Sequence, residues 1–223
     1  IWLGGMLTAG GVSAPDGNEL AAWQTGLWGA LLRQLRLDLD EGLDQNWVSC
    51  FGFPPAAAEA VLQRWVQDEP LLHWLPSTPV AALKQQGDRL LSAVLDGPDG
   101  PLEVAFDLLV DGSELADSLA LASLPHRQGW EPRELWNEPS APTAQRLASD
   151  PFFAHQPLQS PTWVLTARWE GPWHPVQRTD KTPQPPFSGC LQRFDLERLL
   201  SYGRLPGGLL MLNWPLDGND WHE

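Results

Sequence analysis

Three short clusters rich in glycine and polar residues have residue types and spacing that could support chemistry. The first covers residues 2–8 and contains Gly4-Gly5. The second covers residues 110–117 and contains Asp111, and the third covers residues 212–221. Glycine has no Cβ, so a glycine-rich backbone can come close to another molecule. The stretch 1–16, which also contains Gly10-Gly11, therefore predicts a loop rather than a regular helix.

The sequence patterns of common catalytic and metal sites are mostly missing. Residues 11–15 begin like a nucleophile elbow, but Pro15 replaces the glycine that its strained turn needs. The paired glycines have the wrong spacing for a G-x-G-x-x-G loop. The histidines have no metal-ligand spacing: His73, His126, His155, His174 and His222. We therefore predict no metal site.

Composition and charge restrict the class of partner. The 223 residues are 43% hydrophobic and carry a net charge of -14, which opposes binding to nucleic acid and to anionic membranes. No apolar run approaches the ~18 residues of a membrane-spanning helix. The two cysteines, Cys50 and Cys190, indicate ordinary thiols in a reducing compartment. We expect a cytoplasmic protein with a small-molecule substrate, and the sequence leaves its oligomeric state open.

The thirteen tryptophans, against one tyrosine, allow more than one class of function. Tryptophan builds cores, lines flavin pockets and stacks on sugars. A carbohydrate-binding or polysaccharide-active module is therefore an alternative to an enzyme that uses a cofactor. It predicts a row of exposed tryptophans. A third possibility is an interaction protein that uses its Pro- and Trp-rich second half.

Hydrophobic periodicity predicts a mixture of helices and strands in the first 124 residues. An amphipathic helix begins near Asn18, and its predicted apolar face consists of Leu20, Trp23, Leu27, Leu31 and Leu35. The remaining predicted elements are a short strand or an extended segment at 47–53, a strand at 71–75, a helix at 56–67, a three-stranded meander at 80–84, 89–95 and 102–110, and a helix at 114–123.

The second half is irregular, and we place a soft domain boundary near Pro125. A strand is predicted at 162–169, a helix at 195–202 and a strand at 208–214. This divides the chain into residues 1–124, a partial cofactor-binding domain, and residues 125–223, a substrate or cap region whose last strand returns toward the first domain.

The order of these motifs resembles the FAD-dependent oxidoreductases that share the glutathione-reductase-type FAD fold. The run 2–8 is similar to that family's W(I/L)GG(Q/M)LT, and 111–122 is similar to its DATELGDLLALAG. Residues 138–142 are similar to its GEP-A run, and 213–220 to NWP-GND. The resemblance implies an α/β chain that forms part of a three-layer FAD-binding fold. A helix, a strand and a three-stranded meander belong to that fold, and an irregular region follows.

The resemblance also implies FAD as the cofactor and assigns site residues. The implied cofactor-binding residues are Gly4, Gly5, Met6, Thr8, Val80, Asp111, Gly112 and Glu114. The implied substrate-side residues, near the flavin, are Asn213, Asn219 and Asp220. An alternative role for Asp111 is to cap the helix that follows it. An alternative for residues 218–220 is ordinary turn chemistry. No catalytic base can be named, because the flavin itself performs the redox step.

Two departures from the family pattern matter. Gly112-Ser113 replaces the usual Ala-Thr. The family's first strand, its Gly-rich loop and its ribose-binding acid would precede Ile1, and its C-terminal region would follow Glu223. We therefore expect an internal fragment that is inactive alone and binds FAD weakly or not at all.

Overall fold

The computed structural model describes residues 2–16, 21, 23, 26–159, 161–168, 170, 194 and 196–213. The helices are α1 (Gly26–Asp38), α2 (Pro55–Asp68), α3 (Asp117–Leu121), α4 (Arg133–Trp136), α5 (Ala144–Ser149), α6 (Pro151–His155) and α7 (Leu196–Tyr202). The strands are β1 (Val80–Gln86), β2 (Arg89–Gly97), β3 (Gly100–Ala105), β4 (Leu165–Arg168), β5 (Arg204–Leu205) and β6 (Leu209–Leu212). In the part of the chain that is described, no helix is long and apolar enough to cross a membrane.

The chain forms two compact units. The meander unit covers His73–Leu158, and the glycine-loop unit combines Trp2–Leu72 with Gln159–Glu223. The predicted division between residues 124 and 125 falls inside the meander unit, because that unit continues to Leu158. Compactness does not assign function, so the roles proposed for 1–124 and 125–223 stay predictions.

The meander unit is organised by an antiparallel sheet in the order β1-β2-β3. Its register pairs Ala93 with Leu83 on one side and with Val104 on the other. Directly opposite residues share a face, so these three side chains lie together on one face of the sheet. The alternate residues are more polar: Lys84 and Ser92 both contact the carboxylate of Glu103, at 2.5 Å and 2.7 Å.

The glycine-loop unit has its main core between α1 and α2. The buried members of this core come from both helices and from the segment between them: Leu31, Leu32, Leu35, Leu43, Phe51, Phe53, Ala58 and Val61. Helix α2 begins with Pro55 at its first position, where the missing N–H costs no hydrogen bond. A second cluster of Ala14, Leu205 and Met211 joins the N-terminal segment to the sheet β4-β6-β5.

The predicted helix at 56–67 and the predicted meander are confirmed, and the chain is a mixed α/β protein as expected. The meander's third strand ends at Ala105, earlier than the predicted residue 110. Helix α1 buries Leu31 and Leu35 as predicted, but Leu27 is 78% exposed. The predicted N-terminal part of that helix, near Asn18, lies outside the described residues.

The predicted strand at 71–75 is wrong, and segment 47–53, predicted as a short strand or an extended segment, contains no strand. In segment 47–53, backbone N–H groups donate to side chains and not to a neighbouring strand. Asn46 Oδ1 accepts from Ser49 N at 2.7 Å, and Ser49 Oγ accepts from Phe51 N at 3.0 Å. Such local bonds compete with a strand ladder. In segment 71–75, the amides of Leu71 and Leu72 bond back to Glu69 and form a turn. Apolar composition predicted burial in a sheet, but turn bonds decided the local structure.

Candidate functional site

The glycine loop, residues 2–8, is a compact turn with exposed backbone. Gly4 has φ 97° and Gly5 has φ 50°, both in the left-handed region that favours glycine. A 3-10 turn follows at Gly5–Leu7. Gly4, Gly5 and Met6 are exposed to solvent, as the predicted close approach to a ligand requires.

Hydrogen bonds inside the loop leave one stretch of backbone donors unused. The N–H groups of Leu7, Thr8, Gly10, Gly11 and Val12 all donate to carbonyls of residues 4–8. By contrast, the successive N–H groups of Gly4, Gly5 and Met6 have no acceptor among the described residues. Consecutive exposed N–H groups in a turn form a concave site for an anion. The loop can therefore hold an anionic group through its backbone.

A buried carboxylate fixes this loop to helix α2. Glu59 is only 9% exposed, and its Oε2 accepts a hydrogen bond from Leu3 N at 2.6 Å. Its Oε1 accepts from Gln63 Nε2 at 2.6 Å, one turn further along the helix. No local motif singles out Glu59, because a glutamate within an amphipathic helix is ordinary. Only its position opposite the loop reveals its role.

Thr8 has a different position from the other predicted cofactor residues of the loop. Its side chain is 2% exposed, and its hydroxyl donates to the carbonyl of Leu3. The hydroxyl therefore closes the loop from inside. A contact between Thr8 and the cofactor stays a prediction, whereas its part in shaping the loop is a feature of the structure.

Asp111 lies in the meander unit, in a loop between β3 and α3. Its Oδ1 accepts from Ser113 N at 2.8 Å, and its Oδ2 accepts from Ser118 N, in the first turn of α3, at 2.9 Å. Ser113 Oγ accepts from Asp117 N at 2.9 Å. The hydrogen bonds from Ser113, followed by that from Ser118, lower the pKa of Asp111 to about 2. Asp111 is therefore charged at neutral pH and caps α3 from a distance.

The structure corrects the local setting of this cluster. Asp111 was predicted to follow the last meander strand directly and to precede a helix that begins near Glu114. The strand ends at Ala105 and the helix begins at Asp117, after Ala116 in a left-handed conformation at φ 53°. Gly112 and Glu114 lie exposed in the intervening loop, and Val80 is the first residue of β1.

Asn213 directly follows β6 in the glycine-loop unit, because this strand ends at Leu212 and not at the predicted residue 214. Leu212 pairs with Leu165, so one further step of the register sets Asn213 opposite Val164. A Cβ on Gly11 would lie 3.2 Å from Val164 Cγ1, which shows how closely the N-terminal segment covers this end of the sheet. Tertiary structure thus places Gly11, which follows the glycine loop in the chain, beside the end of the sheet to which Leu212 and Asn213 belong. Asn219 and Asp220 lie outside the described residues.

Two buried polar atoms near this junction lack a hydrogen-bond partner among the described residues. They are Oδ1 of Asn213 and Oγ of Ser13, whose residue is fully buried. Buried polar groups in proteins are almost always paired with protein, water or ligand. The amide oxygen of Asn213 and the hydroxyl of Ser13 are therefore exceptions to this rule among the described residues.

The exposed backbone of the glycine loop and the amide oxygen of Asn213 have the chemistry that binding of FAD requires. Unpaired backbone N–H groups suit its pyrophosphate, exposed glycines allow close approach, and an amide oxygen suits a polar ring edge. No group of three or more metal-ligating side chains occurs in the part of the chain that is described. The structure places Gly4, Gly5, Met6 and Thr8 in the glycine-loop unit. Val80, Asp111, Gly112 and Glu114 belong to the meander unit.

Comparison with known proteins gives one match. No curated protein and no solved structure matches this sequence. The family model described as FAD dependent oxidoreductase matches residues 1–223, the whole of the chain. The helices and small antiparallel sheets described above are consistent with part of an FAD-binding fold. Nothing in the comparisons supports the carbohydrate-binding alternative. The chain belongs to the FAD-dependent oxidoreductase family, and its cofactor is FAD.

Proposed function

We propose that this chain holds FAD for the oxidation or reduction of a small-molecule substrate. The family match over residues 1–223 is the observation that carries the proposal. FAD, when bound, supplies the electron-transfer chemistry, and the protein supplies binding, orientation and exclusion of water. We place the protein in the cytoplasm, a proposal supported by its low number of cysteines, two in 223 residues.

The glycine loop has the role of binding the cofactor's anionic part. Its unpaired N–H groups at Gly4, Gly5 and Met6 offer three donors without requiring a basic side chain. This suits a chain of net charge -14, because the backbone dipoles act at short range. Glu59 is a positioning residue: it holds Leu3 and thereby the orientation of the loop.

Asp111 has two compatible roles in this proposal. It orders the 111–116 loop by accepting from Ser113 and Ser118, and the ordered loop presents Gly112 and Glu114 to the cofactor. Asn213 has the role of offering its unpaired amide oxygen on the substrate side. Asn219 and Asp220 are proposed for the same side on the family resemblance alone.

The test of the cofactor is direct. Flavin absorbance is measured after incubation with FAD and gel filtration, both for the 223-residue chain and for the longest open reading frame that contains its sequence. The proposal expects FAD to stay with the protein peak in at least one of these products. If both stay colourless, the proposal is refuted. The same comparison tests the expectation that the 223-residue chain alone binds FAD weakly.

The role of the glycine loop is tested by a pair of variants on helix α2. Glu59→Ala removes the acceptor of Leu3 N, whereas Gln63→Ala removes only the other hydrogen bond of the same carboxylate. A hydrogen bond to a charged group is worth about 1.5–3 kcal/mol, so Glu59→Ala should weaken FAD binding about ten-fold or more. Gln63→Ala should weaken it far less. Equal losses in the two variants would show that the loop needs no anchor at Leu3.

A further inference from the structure

The meander unit contains a cleft whose lining residues have no role in the proposed flavin function. It has a volume of about 440 Å³ and is lined by Pro125, His126, Arg127, Glu131 and Trp136. Small-molecule sites commonly have roughly 300–1,000 Å³ and combine an apolar surface with a few polar groups. Here the apolar surface is a proline and an indole, and the polar groups are three ionisable side chains.

Arg127 is already oriented within this cleft. Its guanidinium lies 5.1 Å from the ring centroid of Trp136, and its Nε lies 3.4 Å from Glu131 Oε1. Stacking on an aromatic ring restricts the orientation of the planar guanidinium group, whose N–H donors recognise carboxylates. Apart from Glu131 and Trp136, Arg127 has no side-chain partner among the described residues. The two terminal nitrogens of its fork are thus available to an incoming anion.

Glu131 is a weak counter-ion that a ligand can replace. The ion pair is long at 3.4 Å, and the side chains of Arg127 and Glu131 are 56% and 31% exposed. Exposed pairs of this kind contribute about 0–1 kcal/mol. A bidentate carboxylate at the same guanidinium forms two charge-assisted hydrogen bonds. An external carboxylate with the correct geometry can therefore displace Glu131.

We propose that this cleft binds a small planar carboxylate, whose anionic end pairs with Arg127 and whose flat apolar body covers Trp136. The indole is 57% exposed, so it offers apolar surface to such a ligand. His126 contributes a fixed wall, because its Nδ1 donates to Leu124 O at 2.9 Å. The site lies wholly within the meander unit.

The chain contains a matched control for the chemistry of the cleft. Arg146 also lies over an aromatic ring, 5.3 Å from the centroid of Phe153, and its Nε is also 3.4 Å from a carboxylate, that of Asp150. Arg146 does not line the cleft. A stacked, ion-paired arginine without the cleft can thus be compared with one inside it.

The experiment titrates the complete chain with benzoate and follows the indole N–H resonance of Trp136, assigned with Trp136→Phe. Benzamide, which has the ring without the charge, and acetate, which has the charge without the ring, serve as comparison ligands. We expect saturable shifts with benzoate and much weaker binding of the other two. Equal affinity for acetate and benzoate, or no shift with benzoate, would overturn the proposal.

Substitutions at Arg127 and Glu131 should change the affinity for benzoate in opposite directions. Arg127→Gln should weaken benzoate binding about ten-fold or more, since it removes charge-assisted hydrogen bonds. Glu131→Gln should tighten it about two- to five-fold, because the competing carboxylate is gone. Arg146→Gln, and Glu138→Gln as a control for net charge, should leave it unchanged. Weaker binding in Glu131→Gln, or an equal loss in Arg146→Gln, would contradict the assigned site.

Discussion

Gly4 is the glycine whose replacement most directly tests the structure of the loop. An alanine there would adopt φ 97°, and its Cβ would lie 2.8 Å from both Leu62 Cδ1 and Thr8 Cγ2. The leucine methyl is the end of a flexible side chain and can move. Thr8 cannot move as easily, because it is buried and its hydroxyl bonds to the carbonyl of Leu3.

The magnitude follows from two separate costs. A left-handed conformation costs an alanine about 1–2 kcal/mol. An overpacked methyl group costs about 1–3 kcal/mol more. Gly4→Ala should therefore lower the free energy of unfolding by about 2–5 kcal/mol. Gly42, in the same unit, has φ 74° and no atom within 4 Å of a built Cβ, so Gly42→Ala carries only the first cost.

Urea unfolding, followed by tryptophan fluorescence, measures both variants on the same unit. Trp23, Trp28 and Trp65 pack against its core and report its unfolding. Adding Thr8→Ser to Gly4→Ala removes the clashing methyl and keeps the hydroxyl, so it should restore part of the loss. Equal destabilisation by Gly4→Ala and Gly42→Ala would refute the packing of Thr8 and Leu62 around the loop.

Three further predictions concern titration and buried polarity. The pKa of Asp111 is lowered from 3.8 to about 2, so its contribution to stability is present above pH 3.8 and lost as the pH falls toward 2. In thermal melts, Asp111→Asn should reduce the fall of the melting temperature between pH 3.8 and 2. An unchanged fall would contradict the role of Asp111 as a helix cap. Burial, and secondarily the charge of Asp16, raises the pKa of Tyr202 above 10, so its stabilising neutral form is lost as the pH rises beyond 10. Because Tyr202 is the chain's single tyrosine, phenolate absorbance should report this midpoint directly, and Asp16→Asn should lower it. Ser13→Ala should stabilise the chain by about 1 kcal/mol in urea unfolding, because it removes a buried unpaired hydroxyl. A less stable variant would mean that the hydroxyl is bonded, for example to a buried water.

Local pattern was sufficient for the elements whose periodicity is strong. Helix α2 and the meander were predicted because apolar residues recur with the helical period in one and turn residues separate short strands in the other. The exposed backbone at Gly4-Gly5 also followed from residue type alone, since few other residues adopt positive φ. The cofactor was implied by the order of motifs and needed no coordinates.

Only the tertiary structure decided which distant residues meet. Glu59 is 56 residues from Leu3, and nothing in the local sequence of α2 specifies that its carboxylate accepts the loop's N–H. Asp111 showed the same limit, because residue type allowed either a cap or a ligand contact, and geometry revealed the bond to Ser118. The false strand at 71–75, and the absence of a strand at 47–53, show that apolar composition does not encode a pairing partner. Sequence therefore determined what each segment can do by itself, and long-range packing determined which of those possibilities the chain adopts, since contacts between distant residues depend on the whole fold.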